Sequence, residues 1–295
     1  PHQWVKNAFV LAPIVFAKDV VVSTSVGKAL NLTVAGRALA ATMVFCLLAG
    51  AVYTINDLAD VEADRVHPVK RDRPIASGEV PEGLAWRMSV LLVVISIGFG
   101  VLLDWRFGAV AFVYFVENLA YTFKLKKIAY LDVCLIAFGF VLRVVAGGFA
   151  TNVHVSFYML ACTALLALFL GFGKRRYELA GENVGKQRAA LEAYSPNALN
   201  VALALTGGAT VVVYVAYTLD ASTQEFFQTR YFWLTAPFVV GGIFRFLYLV
   251  NGRGGRGLRS ESPTQEMLRD VPFVLTVVVW LLIVLAIVYR LRPAP

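Results

Sequence analysis

Asn56, Asp57, Asp60 and Asp64 stand directly at the end of a long apolar run. Carboxylates beside hydrocarbon are costly unless they bind something positive. On a helix, Asp57, Asp60 and Asp64 fall at i, i+3 and i+7 and share one face. Asn56, four residues before Asp60, joins that face. Capping a helix end needs only one such oxygen, so this set exceeds what capping requires. Converging hard oxygens suit Mg²⁺, and Mg²⁺ on few carboxylates usually holds a substrate phosphate as well. The run that follows carries Arg65, His67, Lys70, Arg71 and Arg73, which would complement a polyanion. Pro68 and Pro74 break the helix and stiffen this loop. The pattern reads as a diphosphate site at a membrane surface.

Four further groups could join it. Gly173-Lys174-Arg175-Arg176-Tyr177-Glu178 follows another apolar run, with Lys174 and Glu178 at i, i+4 and Arg175 three before Glu178. It reads as a second half-site facing the first, with cations for phosphate and one carboxylate for metal or ribose. A basic cap that merely sets topology is the competing reading. Tyr121 and Lys124 share a face, followed by Lys126, Lys127 and Asp132. Arg143 lies deep in an apolar run, and an intramembrane arginine is a functional candidate by default. Its expected ion-pair partner is Glu117 or Asp132. Near the N-terminus, Lys6 and Asn7 could reach the site, whereas Trp4 suits an interface.

The elements that must position these groups follow from composition. The 295 residues are 59% hydrophobic and 16% charged, and the mean hydropathy is +0.69. Soluble domains carry about 45–50% apolar and about 25% charged residues, so this is an integral membrane protein. The net charge of +8 marks no nucleic-acid partner, because no basic domain stands apart from the apolar segments. Cys46, Cys134 and Cys162 all fall in apolar runs, with neither zinc nor disulfide spacing. No cleavable signal peptide is expected.

Apolar runs near 5–22, 34–55, 84–103, 107–123, 129–150, 156–173, 197–219, 230–250 and 271–290 give about nine spans by the length criterion. Continuous runs exclude a barrel, so the fold is an all-α bundle. One domain over 1–295 is expected, with active-site loops at 56–83 and 174–196. The longer, basic connections belong in the cytoplasm, which places the N-terminus inside and the C-terminus outside. Asn251 to Gly257 reads as a glycine-rich linker, since no lysine-plus-hydroxyl pair follows.

Asn56, Asp57, Asp60 and Asp64 match, position by position, the Asn-Asp-x-x-Asp-x-x-x-Asp motif of the UbiA superfamily of membrane prenyltransferases, which this chain resembles. The family's second acidic motif is replaced here by Lys174 to Glu178. That departure, with Gln3-Trp4-Val5-Lys6-Asn7, the run Asp64-Arg65-x-His67-Pro68-x-Lys70-x-x-Arg73-Pro74, and Arg143 before Ala146-Gly147-Gly148, resembles the decaprenyl-phosphate phosphoribosyltransferase branch.

The resemblance implies a bacterial plasma-membrane enzyme whose site faces the cytoplasm. Its substrates would be phosphoribosyl diphosphate and a polyprenyl phosphate, and its product a precursor for cell-wall arabinan. The nucleophile would already be an anion, so no strong base is needed, in keeping with only 3 histidines. Bringing two phosphates together needs Mg²⁺ and many cations. Asn56, Asp57, Asp60 and Asp64 would hold Mg²⁺ and the leaving diphosphate. Lys174 and Arg175 would clamp phosphate, with Glu178 on metal or sugar. Lys70 and Arg73 would take the 5-phosphate or the lipid phosphate. Lys6, Asn7, Arg65, His67, Tyr121, Lys124 and Arg143 complete the expected binding set. A homo-oligomer is compatible with the sequence. Two alternatives stand beside this one: prenyl transfer to an aromatic acceptor, and a transporter, which would place carboxylates at mid-membrane.

Overall fold

The structure, a computed structural model, describes residues 2–16, 21–24, 27–67, 70–180, 191, 193–251, 267 and 269–290. Lys18, Asp19, Pro68, Lys186, Arg188 and the glycine-rich stretch 252–257 lie outside the described residues. Seven helices among the described residues are long and apolar enough to cross a membrane: Leu32–Ala59, Glu82–Leu103, Leu131–Thr151, Phe157–Leu179, Pro196–Leu219, Tyr231–Val250 and Val271–Tyr289. Lys6–Phe16 is a shorter apolar helix. Trp105–Phe123, a 19-residue helix carrying Arg106 and Glu117, is not among the seven.

The chain divides into two compact units: Pro1–Lys126 with Phe138–Val155, and Lys127–Ala137 with Ser156–Pro295. The first begins with a 3₁₀ segment, His2–Leu11, that runs into α1 (Ala12–Phe16). An antiparallel hairpin follows, β1 (Val21–Thr24) on β2 (Gly27–Leu30), with Val21 opposite Leu30. The expected span through residue 22 therefore ends early, because Val21-Val22-Ser23-Thr24 favours extended backbone.

Next come α2 (Leu32–Ala59), the short α3 (Val61–Arg65), α4 (Glu82–Leu103) and α5 (Trp105–Phe123). α6 (Leu131–Thr151) gives its first turns to the second unit and the rest to the first. Asn31 caps α2, its side chain accepting from the Val34 amide at 3.2 Å. At about 1.5 Å per residue, 28 residues exceed the roughly 30 Å of hydrocarbon. α2 can therefore cross the bilayer and still carry Asn56 and Asp57 to the interface.

α2 packs on α4, α5 and the 3₁₀ segment, burying Val10, Phe45, Leu48, Phe107, Tyr114, Leu142 and Ala146 in one core. Gly147 makes one of these contacts feasible: a Cβ there would run into the Val10 carbonyl, so only glycine lets the N-terminal segment lie against α6. Arg37 donates to two helix-end carbonyls, Ala150 at 2.6 Å and Leu103 at 2.9 Å, and so satisfies groups the helix ends leave open.

The second unit holds α7 (Phe157–Ala180), α8 (Pro196–Leu219), α9 (Ala221–Phe227), α10 (Ala236–Val250) and α11 (Val271–Arg290). α7 packs on α8, and α10 on α7, α8 and α11. Val133, Phe169, Phe172, Tyr194, Leu199, Leu203, Ile243 and Phe246 form the core. Ser195 caps α8, accepting from the Ala198 amide at 3.3 Å.

Candidate active site

The carboxylates stand where α2 stops. Asp60 leaves helical geometry at φ −102° and ψ 4°, so α2 ends at Ala59 and the chain restarts as α3. The expected single helix is thus broken. Its four-residue ladder survives the break, with the Asp60 amide on Asn56 O at 3.0 Å and the Asp64 amide on Asp60 O at 2.8 Å. That ladder is why the acidic side chains still share a face.

Cations from two later segments reach them. Arg73 Nη1 donates to Asp57 Oδ1 at 2.8 Å and to Asp64 Oδ2 at 2.7 Å. Lys70 Nζ lies 3.9 Å from Asp64 Oδ1. Lys126 Nζ donates to both oxygens of Asp60, at 2.6 and 2.8 Å. Asn56 donates to Asp60 Oδ2 at 3.3 Å and accepts from Thr122 Oγ1 at 3.4 Å. Asp64 is only 3% exposed, and a carboxylate so enclosed needs a partner such as Arg73.

The loop carrying Arg73 is fixed locally. Ile75 is buried with Leu58, Val61 and Ala85. The Ser77 amide returns to Arg73 O at 2.8 Å and the Val80 amide to Pro74 O at 2.8 Å. Gly78 closes the turn at φ +85°, a conformation that favours glycine.

Hard oxygens that converge on single cationic nitrogens form a donor set that fits Mg²⁺. Yet among the described residues no three carboxylate, imidazole or thiol side chains are gathered closely enough to hold a metal unaided. A set complete without substrate phosphate is more than the expectation for Asn56, Asp57, Asp60 and Asp64 asks. Arg73 and Lys126 already occupy oxygens that such a set would require.

Other expected residues divide. Arg65 turns away onto Glu62 at 2.6 Å and Glu82 at 2.9 Å. His67 Nδ1 accepts from the Lys70 amide at 3.3 Å and so shapes the loop. Lys124 is exposed and Tyr121 half-buried, while Lys126, two residues on, holds the carboxylate. A 3₁₀ turn, Leu125–Lys127, sets that direction. A face shared with Thr122, four residues earlier, is the signal in the sequence that could have singled out Lys126.

A polar layer lies farther from the α2 terminus in the same unit. Lys6 Nζ donates to the hydroxyl of Tyr53, a residue one turn before Asp57, at 3.3 Å. Asn7 is fully buried, donating to Cys46 Sγ at 3.3 Å and accepting from Arg143 Nε at 3.0 Å. Arg143 also donates to Gly139 O at 2.8 Å and to the Tyr114 hydroxyl at 2.7 Å. Among the described residues the expected ion pair does not form: the groups hydrogen-bonded to Arg143 are neutral, Glu117 accepts from Asn118 at 2.7 Å, and Asp132 pairs within the second unit. Arg143 is 5% exposed. An intramembrane cation whose hydrogen bonds all go to neutral groups is suited to attract an anion.

In the second unit, Lys174 Nζ lies 3.9 Å from Glu178 Oε1. Arg175 donates to Glu178 Oε2 at 2.6 Å and to Asp132 Oδ2 at 2.8 Å. Arg175 is 1% exposed and Asp132 fully buried, so of the two cations expected to clamp phosphate Arg175 sits in an interior ion triad, while the Lys174 side chain is 44% exposed. Asp132 also moves from its expected place beside Tyr121 and Lys124 into this triad. Tyr194 donates to Asp132 Oδ1 and accepts from the Tyr130 amide at 2.7 Å. Burial first, then the Asp132 carboxylate, raises the Tyr194 hydroxyl above the ordinary phenol range, so it remains a donor. Nothing in local sequence spacing marks Tyr194, Tyr53 or Tyr114, because their partners are distant in the chain.

Comparisons with known proteins bear on this arrangement. Residues 10–178 match the UbiA prenyltransferase family. The decaprenyl-phosphate phosphoribosyltransferase of Mycolicibacterium smegmatis is 35% identical over 305 aligned residues, covering 98% of this chain and 90% of that protein. Its Mycobacterium tuberculosis counterpart is 36% identical, covering 95% of this chain and 89% of that one. Among solved structures, a UbiA homologue from Archaeoglobus fulgidus bound to DMAPP and Mg²⁺ superposes with a TM-score of 0.70. That match spans 98% of both chains at 18% identity, a likeness of fold. Apolar helices of membrane length, an acidic α2 terminus and these matches agree: the chain belongs to the UbiA prenyltransferase family.

Proposed function

We propose that this protein transfers 5-phosphoribose from phosphoribosyl diphosphate to a polyprenyl phosphate, decaprenyl phosphate in the relatives' names, to supply cell-wall arabinan synthesis. The near-full-length likeness to two decaprenyl-phosphate phosphoribosyltransferases carries this reading. An oxygen of the lipid phosphate attacks the anomeric carbon. The bond from that carbon to the diphosphate oxygen breaks, and diphosphate leaves with the electron pair. No proton needs to be removed from the nucleophile.

Asn56, Asp57, Asp60 and Asp64 would hold Mg²⁺, which when bound supplies Lewis-acid stabilisation of the departing diphosphate. Mg²⁺ usually takes one or two carboxylates and completes its shell with phosphate and water. That habit suits a cluster whose other oxygens already lie on Arg73 and Lys126. Arg73, Lys70 and Lys126 exchange carboxylate oxygens for phosphate oxygens as substrate enters. Fixed positive charge of this kind stabilises charge developing on the leaving group. Arg143, with Asn7 and Lys6 beside it, attracts the lipid phosphate from the bilayer side. In the second unit Lys174 binds phosphate and Glu178 a ribose hydroxyl, while Arg175 fixes Glu178.

The same reading makes 1–295 one membrane domain, with loops 56–83 and 174–196 facing the cytoplasm of a bacterial plasma membrane. The basic bias of those loops supports it. The test supplies the purified protein and Mg²⁺ with phosphoribosyl diphosphate and polyprenyl phosphate, and in parallel with a prenyl diphosphate and an aromatic acid. Lipid mass should rise by one phosphoribosyl group in the first mixture only. Product in the second mixture alone would replace this reading with prenyl transfer.

A further inference from the structure

We propose that Tyr194 is a positioning residue for the second charged cluster, acting through Asp132 and Arg175 on Glu178 and Lys174. The inference rests on the phosphoribosyltransferase reading, in which Lys174 and Glu178 bind phosphoribosyl diphosphate.

The chain of contacts is continuous and mostly buried. Tyr194, 5% exposed, donates its hydroxyl proton to Asp132 Oδ1 and takes the Tyr130 amide on its oxygen at 2.7 Å. The Val133 amide also donates to Asp132 Oδ1, at 2.9 Å. Oδ1 is therefore held by Tyr194 and the backbone, and Oδ2 is aimed at Arg175 Nε at 2.8 Å. A guanidinium is planar, so fixing Nε fixes the direction of Nη1. Nη1 meets Glu178 Oε2 at 2.6 Å, which leaves Glu178 Oε1 toward Lys174 at 3.9 Å. Exposure rises along this chain, from 0% for the Asp132 side chain and 2% for Arg175 to 15% for Glu178 and 44% for Lys174. The interior end is rigid and the outer end can meet ligand.

Tyr194 is also tied to the start of α6. Tyr130 adopts φ +65°, uncommon for a residue with a side chain, and its ring packs against that of Tyr194 at 4.7 Å between centroids. One hydroxyl thus serves the Tyr130 amide and the Asp132 carboxylate together. Removing it leaves Oδ1 on the Val133 amide alone, and the direction of the guanidinium is less tightly fixed. A carboxylate and an ammonium of this kind suit a ligand with both hydroxyls and phosphate. The lipid phosphate carries no hydroxyls, so the effect should fall on the sugar substrate.

The test compares wild type with Tyr194→Phe in the full chain, measuring kcat and KM separately for phosphoribosyl diphosphate and for polyprenyl phosphate. Thermal unfolding and elution are recorded on the same samples. Y194F should raise KM for phosphoribosyl diphosphate about tenfold per folded molecule and leave KM for the lipid within about twofold. The double variant D132N/Y194F should be no worse than the worse single variant, since both act along one line. An unchanged KM with turnover reduced only in proportion to folded protein would assign Tyr194 to stability alone and overturn the proposal. If Y194F yields no folded protein, Asp132→Asn carries the test, and an unchanged KM there rejects it equally. A wild type that ignores phosphoribosyl diphosphate would instead reject the parent reading.

Discussion

The α2 terminus and the α7 terminus carry the same ingredients, carboxylates beside lysine and arginine, in opposite states of enclosure. At α2, the Arg73 and Asp57 side chains are 36% and 33% exposed and the Asp60 side chain 34%, with Asp64 alone enclosed at 4%. At α7, the Arg175 and Asp132 side chains are 2% and 0% exposed. Half-exposed pairs are weak and can exchange partners with an incoming phosphate or metal. Buried pairs are strongly coupled, and breaking one strands a charge in a low dielectric. Similar residues therefore make a binding surface in one place and a scaffold in the other.

The contrast can be broken most directly at Asp60. Asp60→Ala should lower turnover at least about 10³-fold, because it removes a carboxylate from the metal-holding set. Its unfolding profile should stay close to wild type, and substantial activity in membranes supplied with both substrates would end the metal assignment. Arg175→Met should do the reverse in the second unit. It leaves Asp132 and Glu178 without their guanidinium, at a cost of about 3–5 kcal/mol, read as a lowered Tm and a poor yield of monodisperse protein. Recovery of a fully stable R175M protein would show that the triad is not scaffold. Lys126→Ala should raise KM for phosphoribosyl diphosphate about tenfold to a hundredfold, with a modest change in Tm, measured by initial rates across substrate concentration. The smallest effect belongs to Arg65→Ala, whose exposed pairs with Glu62 and Glu82 are worth at most about 1 kcal/mol. Its kcat/KM should stay within about twofold of wild type.

Much of this was readable before folding. The acidic face survived even the break at Asp60, because a helix stop that keeps the i to i+4 hydrogen bond also keeps the side-chain direction. Helix positions followed from apolar length, and α4 and α8 lie within two residues of the expected runs. The hairpin at Val21–Leu30 was hidden, since a short β-branched stretch beside an apolar run reads equally as more helix. Arg65 was placed with the site for its charge, yet it turned to Glu82, seventeen residues on, which no local spacing announces. Arg143 was expected to need a counter-ion and found three neutral acceptors instead.

By itself, the order of residues determined that this protein is helical and membrane-embedded, with carboxylates at the end of its first long apolar helix. Those properties depend on composition and on spacing within single elements. Tertiary structure alone decided which cation meets which carboxylate, and that Arg175 is interior while Lys174 is not. Burial and pairing are settled by contacts between segments distant in the chain, such as Tyr194 on Asp132, and a charged residue's role changes with the dielectric around it.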